Sequence, residues 1–337
     1  MRLKRLMQLR PLRRRSVPRP ARAQRGAALL LAMIIVVLVV TATAGMVWQQ
    51  TRAVSIESAE RARTQAAWIL NGALDWARLI LREDQRDSQQ RGAPYDSLDE
   101  PWATPLAEAR LSTFLAADPD NNADSGPEAF ISGSIVDVQS RFNLFGVVDD
   151  AGKPVPAQLA ALERLCSLAG TASDTAGRIA QALRATRPAT GDEGPRGAPL
   201  RPSRLADLGW QGIEAATLAQ LEPYVELLPV ATPVNANTAS REVLMAAIDG
   251  IDLGTAERLV QRRQRKAFRQ IEDMRADLPP TTVLEPARIG VGSNYFEVAG
   301  RLRLEDRVLE ERSLLVRREN RVDVLRRERR SFSAGGG

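Results

Sequence analysis

The sequence predicts an α+β fold in which one long amino-terminal helix precedes an antiparallel sheet, with a large helical domain inserted between the strands of that sheet. Three observations carry this. A charge-free apolar run, Ala27 to Val47, passes directly into helical periodicity that lasts to about residue 92. Strand-like stretches occupy 130–148 and 293–327. Between them, from Val155 to about Pro286, the composition is that of helices. Strands, then helices, then strands again is the signature of an insertion into an α/β unit.

The chain opens with a basic leader, residues 1–26. Its first 25 residues hold nine arginines, one lysine and no carboxylate. Of 47 Lys+Arg against 41 Asp+Glu in the whole chain, 37 cations remain outside that stretch, so the rest is slightly acidic. That balance does not favour a general nucleic-acid binder. The apolar run at 27–47 is long enough, at about 1.5 Å per residue, to cross a bilayer core of about 30 Å. The flanking cations orient it with the amino terminus in the cytoplasm. A cleaved secretory signal is the rival reading, kept open by Ala42-Thr43-Ala44-Gly45.

Beyond the membrane segment, Ala59, Ala62, Ala66, Ile69, Ala73, Trp76 and Ile80 recur at three- and four-residue steps, which predicts continued helix to residue 92. Two helices joined at Gly72 would read much the same. Residues 93–152 form the first part of the α/β unit. Tyr95 to Asp124 reads as loop around a short apolar stretch at Leu111 to Leu115, Phe130–Val138 and Asn143–Phe145 as strands, and Asp149–Gly152 as a turn. The helical insert spans 153–288, broken by the Gly/Pro-rich run 187–197. Residues 289–330 return to strands: Tyr295 to Leu304 alternates, with Leu302 and Leu304 facing opposite to Arg301 and Arg303, and Ser313–Arg317 and Arg321–Arg327 are two more. A disordered tail is expected at 331–337.

Absences narrow the chemistry. Without histidine there is no Ser-His-Asp triad and no zinc site of the usual kinds. Cys166 is the only cysteine, which excludes an internal disulfide and a CxxC motif; it reads as a small buried apolar residue on a helix. No carboxylate pair sits in a recognisable catalytic setting, so the expectation is a non-enzymatic protein.

A basic leader, Gly26, and an apolar helix that begins at once resemble the type IV pilin class of signals. The resemblance implies cleavage by a prepilin peptidase after Gly26 and N-methylation of the new terminus, Ala27. Most pilin-like chains carry glutamate at the fifth mature position, where it pairs with a neighbouring subunit's amino terminus; here that position is Leu31. A carboxylate left without a partner inside the membrane is costly, so a subunit with no neighbour above it would lose it.

Pro101-Trp102-Ala103, Phe142-Asn143-Leu144, Val234-Asn235-Ala236-Asn237-Thr238 and Ser293-Asn294-Tyr295-Phe296, in that order and spacing, resemble minor pseudopilin K of type II secretion systems. The resemblance implies a type IV pilin-like fold and a place at the tip of a short pseudopilus in the inner membrane. It also implies partnership with minor pseudopilins I and J and further H, with the major pseudopilin G, and with the inner-membrane assembly platform. Family members commonly bind calcium in the helical domain. Residues 179–199 offer only Asp192 and Glu193 as carboxylates, against about six to eight oxygens that calcium takes, so no cofactor is expected. Two further points concern the start: the leader is long for this class, and Met7 is an alternative first residue.

Residues 234–276 also resemble a helix-hairpin-helix unit, familiar from membrane-anchored DNA receptors of competence systems. In such units the hairpin's backbone N–H groups contact a phosphate. Asp249 and Asp252 flank this hairpin, while Arg258, Arg262, Arg263, Arg265, Lys266 and Arg269 could face nucleic acid. A DNA receptor is therefore the alternative function. The leader supplies a direct check: membrane-extracted protein from cells with active prepilin peptidase should have the intact mass of a chain beginning at Ala27, whereas recovery of the leader-bearing chain would contradict the reading.

Overall fold

A computed structural model describes residues 25–90, 92, 94–111, 129–187, 200–304, 307–319 and 321–333. The chain divides into two units, residues 1–65 and 66–337, and each is described by itself. In the first, the described residues are all helix, the opening part of α1 (Arg25–Gln90). Its apolar side chains from Leu29 to Val40 are exposed, and Thr41, Thr43 and Thr51 return their hydroxyls to carbonyls four residues earlier, leaving no polar group outward along that face. The helix is unbroken through Gly72, which settles the question of a joint there.

In the second unit α1 presents Ala66, Leu70, Leu74, Ala77 and Leu81 to the core, at steps of three and four residues. The expected face differs: Ile69, Ala73 and Ile80 are only partly buried, and Trp76 is 57% exposed. Two stripes overlap along this helix, and the sheet selects the one whose side chains fit close contact. A Cβ on Gly300 would lie 3.1 Å from the Leu70 side chain, so helix and sheet approach closely at this residue.

The sheet is antiparallel throughout, in the order β1 (Leu106–Arg110), β2 (Ala129–Asp137), β7 (Tyr295–Leu304), β8 (Arg307–Arg318), β9 (Arg321–Ser333). Strand β1 replaces part of the expected loop. Its sequence, Leu-Ala-Glu-Ala-Arg, has low strand propensity and becomes strand because β2 offers an edge. Residues 112–128, including most of the Leu111 to Leu115 stretch, lie outside the described residues. Strands β8 and β9 are longer than their sequence pattern indicates, and the expected tail is corrected accordingly: Ser331 to Ser333 pair with Leu309 to Arg307. Arginine-rich strand is unreadable from propensity alone. It holds here because Arg329 stands directly opposite the buried Glu311 and bonds it at 2.5 Å.

The helical insert contains α2 (Pro156–Leu168), α3 (Thr175–Ala185), α4 (Ala215–Leu221), α5 (Arg241–Ala247) and α6 (Leu253–Arg265), around an apolar core that includes Leu162, Leu165, Ile179, Leu208, Leu244, Leu259 and Phe268. Cys166 belongs to that core, as expected. The insert is stapled to its surroundings by two short parallel pairs: β3 (Phe142–Asn143) with β4 (Val225–Glu226), and β5 (Val234–Asn235) with β6 (Ile289–Gly290). The expected second strand at 143–145 is thus shorter, since Asn143 caps a 3₁₀ turn by accepting from the Phe145 N–H.

Candidate functional site

Along α1 the buried stripe does not stop at Leu81 but continues as Asp84 and Ser88, one and two turns further. These polar groups enter a joint where the long helix, the sheet and the helical insert meet. Arg317, near the end of β8, donates to Asp84 at 3.0 Å, to Asp96 at 2.5 Å and to the Ser293 carbonyl at 2.7 Å, with its guanidinium 4.9 Å from the centre of the Phe296 ring. Asp96 in turn accepts from the Ser293 N–H at 2.7 Å. Beside it Glu100 accepts from the Ser97 N–H and from the Trp102 indole, both at 2.9 Å. Trp102 is fully buried edge-on to Phe296, 5.2 Å between ring centres.

A second focus is Asp137, where β2 ends. One carboxylate oxygen accepts from Thr238 at 2.5 Å, Ser293 at 2.6 Å and Asn235 at 3.0 Å, and the other accepts from the Gln139 N–H at 2.8 Å. Asn235 also reaches the Asp96 carbonyl at 3.1 Å, linking the two foci. Asn237 clamps the backbone of Phe268 from both sides, donating to its carbonyl and accepting from its N–H, each at 2.8 Å. Asn143 does the same kind of work 2.7 Å from the Val230 carbonyl.

Burial governs the protonation of this joint. Asp137 is pushed up to about 6 by burial, with the Ser293 and Thr238 hydroxyls pulling the other way. Asp84 is pushed up to about 7, by burial first and then by the charges of Glu100 and Asp96, against the pull of Arg317. Burial raises Glu100 as well. Asp84, Asp96 and Glu100 each offer an oxygen within 4.8 Å of the others, a spacing that suits a cation as well as a proton.

The sequence motifs therefore have a common physical use. Trp102, Asn143, Asn235, Asn237, Thr238 and Ser293 satisfy backbone or carboxylate groups of the joint and the insert. Asp84, Asp96, Glu100, Asp137 and Arg317 escaped the sequence reading. A signal existed for two of them: Asp84 falls on the core stripe, and Arg317 closes the apolar run Leu314-Leu315-Val316.

Of the predicted site residues, Leu31 lies on α1 and is exposed among other apolar side chains, as is Ala27. Gly26 lies within the same helix. Asp192 and Glu193 fall outside the described residues. The hairpin unit is present, with Gly250 at φ 80° in the turn and Asp252 capping α6 through the Thr255 N–H at 2.8 Å. Part of its charge is paired within the fold, while Arg258, Arg265, Lys266 and Arg269 are exposed. Asp249 pairs with Arg164 and Arg288, Arg262 with Asp277, and the buried Arg263 donates to the Ala236 carbonyl at 2.6 Å. Asp249 is held below the usual carboxylate range chiefly by Arg288. Asp249, Arg262 and Arg263 are thus used to hold the unit to its surroundings.

A long helix with an apolar first half, whose residues from Ala66 on pack against an antiparallel sheet, gives a type IV pilin-like fold, here enlarged by a helical insert. Two family models described as type II secretion system protein K match residues 140–230 and 234–291. The type II secretion system protein K of Pseudomonas aeruginosa is 29% identical over 305 residues, 85% of this chain and 86% of the relative. That of Pectobacterium carotovorum is 28% identical over 90% of this chain and 96% of the relative. Among solved structures, a chain in the GspK-GspI-GspJ complex of the enterotoxigenic Escherichia coli type 2 secretion system superposes with TM-score 0.62 at 21% identity, covering 81% of this chain and 98% of that one. Across residues 140–291, and along most of its length, the chain is similar to protein K of type II secretion systems, and among the described residues the apolar stretch of α1 is long enough to anchor it in a membrane.

Arg317 is the residue on which the joint turns, since removing one partner of a buried ion pair strands the others. Arg317→Met should lower unfolding stability by about 3–5 kcal/mol in denaturant titration of the purified chain. A loss under about 1 kcal/mol would show that Asp84 and Asp96 do not depend on it.

Proposed function

We propose that this chain is a non-enzymatic subunit at the tip of the type II secretion pseudopilus, where it starts or caps filament assembly for export of folded proteins across the outer membrane. Leu31 carries the reading. An apolar side chain stands where a filament-shaft subunit would use a carboxylate to neutralise the amino terminus of its neighbour, and an unpaired carboxylate there would cost about 2.5–3.5 kcal/mol on insertion scales. A subunit with nothing stacked above it has no such amine to meet. The helical insert supports the same place, because a body of this size added to the sheet is hard to repeat along a thin shaft.

In this reading the prepilin peptidase cuts between Gly26 and Ala27 on the cytoplasmic side, and Ala27 is methylated. The apolar helix remains in the inner membrane with the second unit in the periplasm. Minor pseudopilins I and J are the proposed direct partners, supported by the likeness to a chain of a complex that contains all three, with H and the major pseudopilin G following below. Its role is mechanical: its buried carboxylates serve as joints. Gold-labelled antibody against the insert, applied to pseudopili made by overproducing the major pseudopilin, should mark one end of each filament; label along the whole shaft would refute the tip assignment.

A further inference from the structure

The joint at Asp84 is short of positive charge. Among the described residues three buried carboxylates meet there, Asp84 from α1 and Asp96 and Glu100 from the segment that follows it, against one buried guanidinium, Arg317 of β8, and Asp137 at the neighbouring focus adds a fourth carboxylate. Ser88 on the next turn of α1 is uncharged, Arg82 is paired with Glu83 at 3.8 Å, and Gln85 Oε1 and the Nε of Arg317 itself are buried without a hydrogen-bond partner. The donors are unequally shared. Asp96 takes Arg317 and the Ser293 N–H, and Asp137 takes four donors. Among the described residues Asp84 takes Arg317 alone. Glu100 fills Oε2 with two donors while its Oε1 is buried with none.

Asp84 and Glu100 each offer a carboxylate oxygen within 4.8 Å of the other, and Glu100 Oε1 is buried without a donor; two buried acids this close are a setting in which one proton serves both. We propose that Asp84 and Glu100 share a single proton, which completes the joint and makes the attachment of the last turns of α1 to the sheet and insert sensitive to pH. Asp84 carries it, being the acid with fewest competing donors, and Glu100 Oε1 accepts it. Loss of the proton leaves two anions facing each other across an interior with one cation for both, so the end of α1 and the 96–104 segment loosen. Asp84 holds its proton to about 7 in the fold, against an ordinary 3.8. The stabilisation is therefore complete below about pH 4 and is lost as pH rises through about 7. A subunit whose long helix is clamped or released over the neutral range could couple filament assembly to local acidity.

Trp102 reports on this directly, because its indole N–H is bonded to Glu100 and it is buried, whereas Trp48, Trp68, Trp76 and Trp210 are exposed. The full chain in detergent micelles, labelled with nitrogen-15 at tryptophan indoles, should show one buried indole signal that shifts in a single step with midpoint near pH 7 between pH 5.5 and 8.5. Asp84→Asn gives Glu100 a permanent donor and should abolish the step; Glu100→Gln should abolish it as well and flatten the dependence of Tm on pH. A signal that does not move in the unaltered chain, or a step that survives Asp84→Asn, would overturn the proposal. Millimolar calcium or magnesium moving the same signal at fixed pH would also overturn it, since the missing positive charge would then be a metal ion.

Discussion

Burial of the Arg317 guanidinium between Asp84 and Asp96 is the constraint on which the remaining architecture depends. Apolar packing of a helix on a sheet is non-directional and tolerates sliding by a turn or a residue pair. A buried guanidinium is less tolerant: Nη1 and Nη2 of Arg317 find Asp84, Asp96 and the Ser293 carbonyl while Nε has no hydrogen-bond partner, and stranding these charges costs several kcal/mol. With Arg317 fixed in β8, Asp84 sets the height of α1 on the sheet, and Asp96 sets the path of the chain leaving the helix. Asp96 then holds Ser293, and Ser293 and Asn235 hold Asp137, so the same network fixes both ends of the helical insert. Polar groups here specify which arrangement forms, while Leu74, Leu81, Trp102, Phe296 and Leu315 supply the apolar burial that drives it.

One helix serves two solvents. Up to Val47 the side chains of α1 are those of a membrane span, with threonine hydroxyls returned to the backbone. From Ala66 the helix shows a sided pattern, and its stripe changes from apolar to acidic at Asp84. The change marks the depth at which the sheet gives way to the insert. Leu31 and Asp84 mark the contrast: the apolar stretch carries no carboxylate, and where Arg317 is at hand one is kept.

The fold class was legible because its signals are local. Membrane-length apolarity, helical period and strand alternation are each read within a short window, and the insert appeared as a change of composition between two strand regions. What escaped depends on distant partners. Leu106–Arg110 is strand only because β2 offers an edge, and Ser331–Ser333 only because β8 extends to meet them. The core stripe of α1 was misplaced by one position because apolar residues occupy both candidate faces and the choice belongs to the sheet. The Asn-Ala-Asn-Thr segment was visible as a pattern, but its meaning lies in Asp137, about a hundred residues earlier, and in Phe268. Likewise Asp84 and Arg317 lie 233 residues apart, and neither alone looks unusual.

If the polar joint is what makes sheet, helix and insert a single structure, they should also come apart as one. Native-state hydrogen exchange of the whole chain in micelles, followed with rising denaturant, measures opening free energies of individual amides. The account predicts that insert-core amides, such as those of Leu165 and Leu259, and sheet amides, such as those of Val298 and Leu315, converge on one common opening free energy. Insert amides that exchange through a separate, lower-energy opening while the sheet stays protected would contradict it, and would make the insert an independent domain tethered by its ends.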